Sequence, residues 1–282
     1  MKTFRLVLIT IASCVLVSGG VHAQWLNYPT PGIPRLPDGK PNLRAPASRT
    51  AEGRPDLSGI WQVVNPAPQP RTPRKDFFYD LAMELNARDV VMTPWAQAIQ
   101  EQRERRDHVD DPWGYCLAPG APRINVINAP FKIIQTPSVT AMLFSLDTGP
   151  TFRQILTDGR PLPDDPEPTW LGYSVGTWQG DTLVITTAGF RDGGWLDTQK
   201  GRPHSDALQV TERVRRPSFG TLEAQITIDD PKAYVKPWTL TVPFRLQPDV
   251  ELLEGSCEGH AKTLEHRNIA PPLPEPPSPR LP

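Results

Sequence analysis

The sequence predicts a mainly all-β protein built around one antiparallel β-barrel, and three observations lead to this fold class. Apolar residues alternate with polar ones in several stretches after Arg123, most regularly between Trp238 and Leu246. Short turn sequences such as Gln179-Gly180-Asp181 separate these stretches, and connections this short join only antiparallel neighbours. About nine such stretches follow one another without a helical segment between them. A meander that closes on itself, and so leaves no strand edge open, accounts for all three.

Residues 1–23 have the layout of a secretory signal peptide. Lys2 and Arg5 give a positively charged start, residues 6–17 are mostly apolar, and Val21-His22-Ala23 has the small-residue pattern that precedes a cleavage point. No apolar run approaches the roughly 20 residues that a membrane-spanning helix needs. We therefore expect no membrane span and a mature protein that is periplasmic or secreted. The lipoprotein-like sequence around Cys14 leaves lipid anchoring as an alternative.

Proline marks the two ends of the mature chain. The protein has 35 prolines in 282 residues, and they are concentrated in residues 24–75 and 269–282. Both segments are expected to be extended, polyproline-like arms that wrap the folded part. The first arm contains a short duplication, because Asp38-Gly39-Lys40-Pro41-Asn42-Leu43 recurs as Glu52-Gly53-Arg54-Pro55-Asp56-Leu57.

Helical patterns are confined to residues 76–110. Apolar residues at helical spacing fall into two pieces, and the second piece follows Thr93-Pro94, a favourable pair for a helix N-cap and first turn. Two short helices are therefore expected before the barrel domain, which we place at residues 111–268.

The strands expected in the barrel domain have period-two patterns, with one buried face and one solvent-exposed face. A lipocalin-like barrel is the nearest architecture, and a two-sheet sandwich is the alternative. The loops at residues 158–170 and 189–203 are expected to frame the barrel mouth. The predicted strands cover residues 131–136, 139–146, 152–157, 171–178, 182–187, 207–215, 221–228, 238–246 and 250–254.

Two cysteines remain once the signal peptide is removed, Cys116 and Cys257. In an oxidising compartment an even pair indicates a disulfide, here one that ties the start of the β-domain to its end. A metal site that includes Cys257, His260 and His266 is the less favoured alternative, because a fourth ligand at the usual spacing is missing. We predict no metal.

The formal net charge of −1, with acidic and basic residues interspersed, disfavours nucleic-acid binding. The sequence contains no Gly-rich phosphate loop, so no nucleotide cofactor is expected. The expected partner is a small-molecule ligand or substrate, and the oligomeric state is not predicted. Gly172-Tyr173-Ser174-Val175-Gly176 fits the pattern of serine hydrolases, but that pattern requires a turn between a strand and a helix. Here strand follows strand, so Ser174 is interpreted as an ordinary strand residue.

A carboxylate is predicted to point into the barrel. Leu208, Val210 and Val214 share the parity of Glu212, so Glu212 should face the interior with them, and His204 and Asp206 would share that face if the strand extended back to them. A buried carboxylate is costly unless it is paired or protonated. One explanation is a structural ion pair with an inward arginine such as Arg153. The other is acid/base catalysis by Glu212, with His204 as its partner and Asp206 as the group that orients it.

A ligand-binding rim is predicted beside these residues. Large aromatic side chains are expected near the barrel rim, where two or three of them could stack on a sugar ring or an aromatic ligand; they are Trp170, Tyr173, Trp178 and Trp195. Arg153 or Arg160 would stabilise an anion. The predicted substrate-binding residues are Arg153, Arg160, Trp170, Tyr173 and Trp195.

Four stretches support a family resemblance: residues 55–61, 152–160, 170–176 and 204–213, which include Gly59-Ile60-Trp61 and Thr211-Glu212-Arg213. Together they resemble a family of secreted proteins common in acidobacterial and other Gram-negative genomes, over nearly the whole mature chain. The resemblance implies export. It implies no activity, so no catalytic residue is carried over from it.

Three functions remain open at this point. The first is a periplasmic enzyme that uses acid/base chemistry, such as elimination, isomerisation or hydrolysis, on a small cyclic substrate such as a sugar or an aromatic glycoside. The second is a barrel that only binds an apolar or aromatic ligand. The third is an envelope scaffold whose Pro-rich arms dock a partner. An enzyme should bring Glu212 and His204 within reach of one point in a cavity, and a binder should have an almost wholly apolar interior. A scaffold should have a filled barrel together with an exposed apolar patch on its outside.

Overall fold

The computed structural model of the chain describes residues 29–64, 81, 85, 88–146, 152–252 and 274–280. The predicted signal peptide, most of the first helical piece and Cys257 lie outside these ranges. The predicted disulfide between Cys116 and Cys257 therefore stays a prediction.

Nine strands within the described residues form a closed barrel in which each strand pairs with its neighbours in the sequence and β9 pairs with β1. This confirms the predicted all-β, lipocalin-like barrel. The strands are β1 (Gly59–Val63), β2 (Phe131–Gln135), β3 (Val139–Phe144), β4 (Phe152–Leu156), β5 (Tyr173–Gln179), β6 (Thr182–Ala188), β7 (Gln209–Ser218), β8 (Thr221–Asp229) and β9 (Trp238–Leu246).

The strand that closes the barrel, β1, lies in the segment that the sequence predicts to be the first Pro-rich arm. β1 pairs with both β2 and β9 and buries Ile60, Trp61 and Val63. The expected strand at 250–254 is wrong for the three positions that the structure describes, 250–252, which have no strand conformation. The five residues of β1 close the sheet instead.

One neighbouring pair, β4 with β5, is parallel, and all other pairs are antiparallel. An odd number of strands cannot alternate in direction all the way around a closed ring, so a nine-stranded barrel must contain a parallel pair. The long connection of residues 157–172 returns the chain to the same end of the barrel and makes this pair possible. β4 and β5 share only two paired positions, which leaves a seam between them.

The barrel interior is filled by side chains. In β9 every second residue from Trp238 to Leu246 is buried and the residues between them are exposed, as the period-two pattern predicts. Burial of each large apolar side chain stabilises the fold by about 1.5–3 kcal/mol. An interior cavity beside Phe131 and Phe244 has a volume of only about 30 Å³.

Helices lie at the barrel end where β4, β5 and β7 begin, which we call the lower end. Helix α1 (Pro94–Arg105) starts as predicted, because the Thr93 hydroxyl accepts a hydrogen bond from the backbone N–H of Ala96. A 3₁₀ turn (Pro112–Tyr115) and the four-residue helix α2 (Arg123–Val126) then lead into β2. None of the helices in the described ranges is long and apolar enough to cross a membrane.

The duplicated sequence of the first arm forms two equivalent turns, bridged at Arg35 with Pro41 and at Arg49 with Pro55. The first arginine of each turn also donates to the carbonyl of the glycine four residues later. Each of these arginines binds an aspartate in a turn of the barrel through two hydrogen bonds, Arg35 to Asp249 and Arg49 to Asp181. The arm therefore wraps the outside of the barrel.

Candidate functional site

Glu212 faces the barrel interior, as the parity of β7 predicts. Val210, Glu212, Val214 and Arg216 are the buried positions of this strand, and the side chain of Glu212 is only 2% exposed. The strand pleat positions it, since successive side chains in a strand point to opposite faces. A carboxylate in this position needs charged or polar partners.

Arg153 on β4 supplies the main partner. Its Nη1 donates to Glu212 Oε1 at 3.2 Å, and its Nη2 donates to Oε2. Asn125 on α2 enters from the lower end, and its Nδ2 donates to Oε1 at 2.8 Å. Both carboxylate oxygens of Glu212 thus accept hydrogen bonds, which is the condition under which a buried ion pair is tolerated.

Two hydroxyl groups complete a polar row across four adjacent strands. Arg153 Nε donates to Ser174 Oγ on β5 at 3.2 Å, and Arg153 Nη2 donates to Thr187 Oγ1 on β6 at 2.9 Å. The two hydroxyl oxygens are 2.9 Å apart. Ser174 is buried within a strand, as interpreted from the sequence, and its hydroxyl group helps to hold Arg153.

His204 does not join this row. Its Nδ1 lies 3.0 Å from the backbone oxygen of Ser205, and its ring packs edge-on against Phe190. Burial lowers the pKa of His204 from its ordinary value, which favours the neutral form of the ring. No hydrogen bond joins His204 to Glu212 among the described residues. The structure therefore does not bring His204 and Glu212 together as the predicted acid/base pair.

Asp206 points to solvent, and its predicted placement on the inward face is wrong. Its carboxylate binds the Lys232 ammonium group at 2.6 Å and is 54% exposed. A turn at residues 206–207 precedes the first residue of β7, Gln209. The side-chain parity of the strand therefore does not extend back to Asp206.

Trp195 is also misplaced by the sequence reading. It is only 2% exposed and packs under the guanidinium group of Arg103, 4.4 Å from its ring centre. A buried tryptophan with these contacts supports α1 and cannot form a stacking platform at a rim.

The seam between β4 and β5 holds a pocket of about 480 Å³ that includes three of the predicted binding residues, Arg153, Trp170 and Tyr173. Its volume lies within the range of small-molecule sites. Most of its lining residues on β4 and β5 lie outside the two positions at which these strands pair. The residues that line it are Phe152, Arg153, Gln154, Leu156, Pro168, Thr169, Trp170, Leu171, Gly172, Tyr173, Ser174 and Arg191.

Positive charge is placed in and next to this pocket. The guanidinium group of Arg191 lies 5.3 Å from the ring centre of Trp170. Arg160 donates a hydrogen bond to the hydroxyl group of Tyr173 at 3.3 Å. It also pairs with Asp158, and its hydrogen bond to that carboxylate lowers the pKa of Asp158. Arg160 therefore supports the pocket through Tyr173. No carboxylate lies among the residues that line the pocket.

Sequence reasoning missed Asn125, Thr187 and Arg191. The inward parity of β6 could have indicated Thr187, since it has the parity of the buried Leu183 and Ile185. Asn125 lies on a four-residue helix with no periodic signal. Arg191 is positioned by the parallel bridge between Thr169 and Phe190, a contact that local sequence does not indicate.

The structure offers no evident metal centre within the ranges that it describes, because no three His, Cys, Asp or Glu side chains there are grouped to hold an ion. Cys257, His260 and His266 lie outside those ranges. No family model, curated protein or solved structure matches this chain. The resemblance to secreted Gram-negative proteins stays a prediction.

Proposed function

We propose that this protein is a non-catalytic, exported binding protein for a small aromatic ligand with an anionic group, which it holds in the seam pocket between β4 and β5. The observation that carries the proposal is the contrast between two volumes. The seam pocket has a volume of about 480 Å³, whereas the cavity inside the barrel beside Phe131 and Phe244 has a volume of about 30 Å³. A ligand of ten or more heavy atoms fits only the first.

The aromatic part of the ligand is inferred from the pocket walls. Trp170 lies on the loop that leads into β5, Tyr173 is the first residue of β5, and Phe152, 51% exposed, lies across the seam on β4. Aromatic side chains around one space favour a flat ring, which they contact in offset-stacked or edge-to-face geometry.

The anionic part is inferred from charge. Arg153 is neutralised by Glu212, but Arg191 has no carboxylate partner among the described residues and lies against Trp170. The nearby acids Glu167 and Asp192 are exposed and are not among the lining residues. A carboxylate on the ligand would thus meet a cation beside an aromatic face.

Acid/base catalysis has less support. Glu212 has both oxygens engaged by Arg153 and Asn125, and His204 and Asp206 lie elsewhere. The catalytic hypothesis stays a prediction that a turnover screen with sugars and aromatic glycosides tests, with Glu212→Gln as the comparison.

Calorimetric titration with naphthalene-2-carboxylate and its neutral amide tests binding. The informative variant is Trp170→Ala, and Trp178→Ala is its matched control. Trp178 is also half-buried and has an arginine over its ring, with Arg54 at 5.9 Å, but it does not line the pocket.

We expect the wild type and Trp178→Ala to bind the naphthalene ring with equal affinity. Trp170→Ala should bind about tenfold more weakly, since the loss of an aromatic contact together with its buried area costs about 1–1.5 kcal/mol. No binding of either compound to the wild type, or equal binding by both variants, contradicts the proposal.

A further inference from the structure

The described part of the C-terminal tail, residues 274–280, has neither helix nor strand conformation, and its burial has a period of three. Glu275 and Ser278 are partly buried, and the other five residues are exposed. A polyproline II helix has three residues per turn, so residues three apart share one face. The tail therefore presents a single ridge, formed by Glu275 and Ser278, to the body of the protein.

Arg103 binds that ridge from α1. Its Nε and Nη2 donate to the two carboxylate oxygens of Glu275, each at 2.7 Å. Arg103 itself is only 1% exposed and is fixed by the ring of Trp195 and by the backbone oxygen of Gly201 at 3.1 Å. A rigid, two-pronged arginine of this kind selects a carboxylate in one orientation.

Two further contacts fix the register of the tail. The indole N–H of Trp95 donates to the backbone oxygen of Pro276 at 3.1 Å. The hydroxyl group of Ser278 lies 3.5 Å from Asp206. A tryptophan N–H bound to a proline-segment carbonyl, beside a charged pair, is how aromatic grooves recognise polyproline II segments. We call the surface formed by Trp95, Arg103 and Asp206 the tail groove.

We propose that the tail groove is a recognition site for proline-rich segments that carry a glutamate and a serine three residues apart, and that the C-terminal tail is its intramolecular occupant. This inference is independent of ligand binding at the seam. A polyproline II segment has no internal hydrogen bonds and is preformed, so it can leave the groove and be replaced by a similar segment of another chain. The tethered tail competes at a high effective concentration.

Fluorescence anisotropy with a labelled peptide of residues 274–280 tests this inference on the full-length chain. Glu275→Lys in the chain weakens the resident tail and should make the groove available. A second full-length variant, with Pro274, Pro276 and Pro277 changed to glycine, keeps Glu275 and loosens the tail through its backbone entropy. It serves as an independent variant if Glu275→Lys lowers the stability of the fold by leaving Arg103 unpaired.

We expect both variants to bind the peptide at least tenfold more tightly than the wild type. A peptide with Glu275→Lys should not bind. Adding Trp95→Ala to the chain with the three glycines should reduce binding about tenfold, whereas adding Trp178→Ala should not. The inference is overturned if neither tail variant binds better than the wild type, or if the charge-reversed peptide binds equally well.

Discussion

Arg153 on β4 and Glu212 on β7 form an ion pair inside the barrel although β5 and β6 lie between their strands. Their side chains are 1% and 2% exposed. The pair crosses a barrel interior that is otherwise mostly apolar. Between the two strands, the hydroxyl groups of Ser174 and Thr187 accept hydrogen bonds from the guanidinium group of Arg153. The contact therefore connects four strands, including the two that flank the seam.

Removal of one partner of this pair should be costly. Glu212→Gln leaves the Arg153 charge buried and should lower the free energy of unfolding by about 3–5 kcal/mol. Glu223→Gln is the matched control, since it breaks the exposed pair with Arg215 on β7 and should change stability by less than about 1 kcal/mol. Urea unfolding measures both. The double variant Arg153→Met/Glu212→Leu should be more stable than Glu212→Gln, and equal losses for Glu212→Gln and Glu223→Gln would contradict this account.

Arg191 should select for anions at the seam. Arg191→Gln should weaken binding of naphthalene-2-carboxylate about threefold to fivefold, since an exposed ion pair contributes at most about 1 kcal/mol, and should leave binding of the amide unchanged. Calorimetry with both compounds gives the ratio. Arg54→Gln, the equivalent change beside Trp178, should leave both affinities as they are. If the amide loses as much affinity as the carboxylate, Arg191 does not act through charge.

His204 should make the fold sensitive to mild acid. Burial lowers its folded-state pKa below the ordinary value of 6.5, so the unfolded chain takes up the proton first as the pH falls. The stability that the neutral ring contributes is fully present above about pH 6.5 and declines below it. Thermal unfolding at pH 7.5 and 5.5 should show a larger loss for the wild type than for His204→Asn. Equal losses in the two proteins would show that another group causes the effect.

Gly194 should tolerate no side chain. A β-carbon at this position would lie 1.8 Å from Nε2 of His204, so Gly194→Ala forces the buried ring to move and should cost about 1–3 kcal/mol or more. Gly114→Ala is the control, because nothing lies within 4 Å of the same added atom. Chemical denaturation of the two variants tests the difference. A fully stable Gly194→Ala protein would mean that the packing around His204 is looser than described.

Strand periodicity carried most of the fold prediction because each long strand has one buried face. The same parity placed Glu212 inward and indicated Arg153 as its partner. β1 was missed because its five residues lie within a Pro-rich segment, where composition outweighs a short apolar pattern. The available signal in the sequence was the apolar pair Ile60 and Trp61, and both side chains are buried in the structure.

The site was harder to predict than the fold because it depends on where the chain leaves regular structure. The parity of β7 ends at the turn before Gln209, so it could not place His204 or Asp206. The position of the seam depends on the parallel pairing of β4 and β5, and a residue pattern does not determine that pairing. Trp170 and Tyr173 were still identified, since aromatic residues at the junction of a long loop and a strand are a local signal.

A ¹H–¹⁵N spectrum of the tryptophan indole groups during titration with naphthalene-2-carboxylate locates the bound ligand most directly. We expect the Trp170 signal to shift with ligand concentration, while the signals of Trp178 and of Trp61, which is fully buried in the barrel core, stay in place. A shift of Trp61 without Trp170 would place the ligand inside the barrel. That result, or a spectrum that does not change at all, would contradict a binding site at the seam.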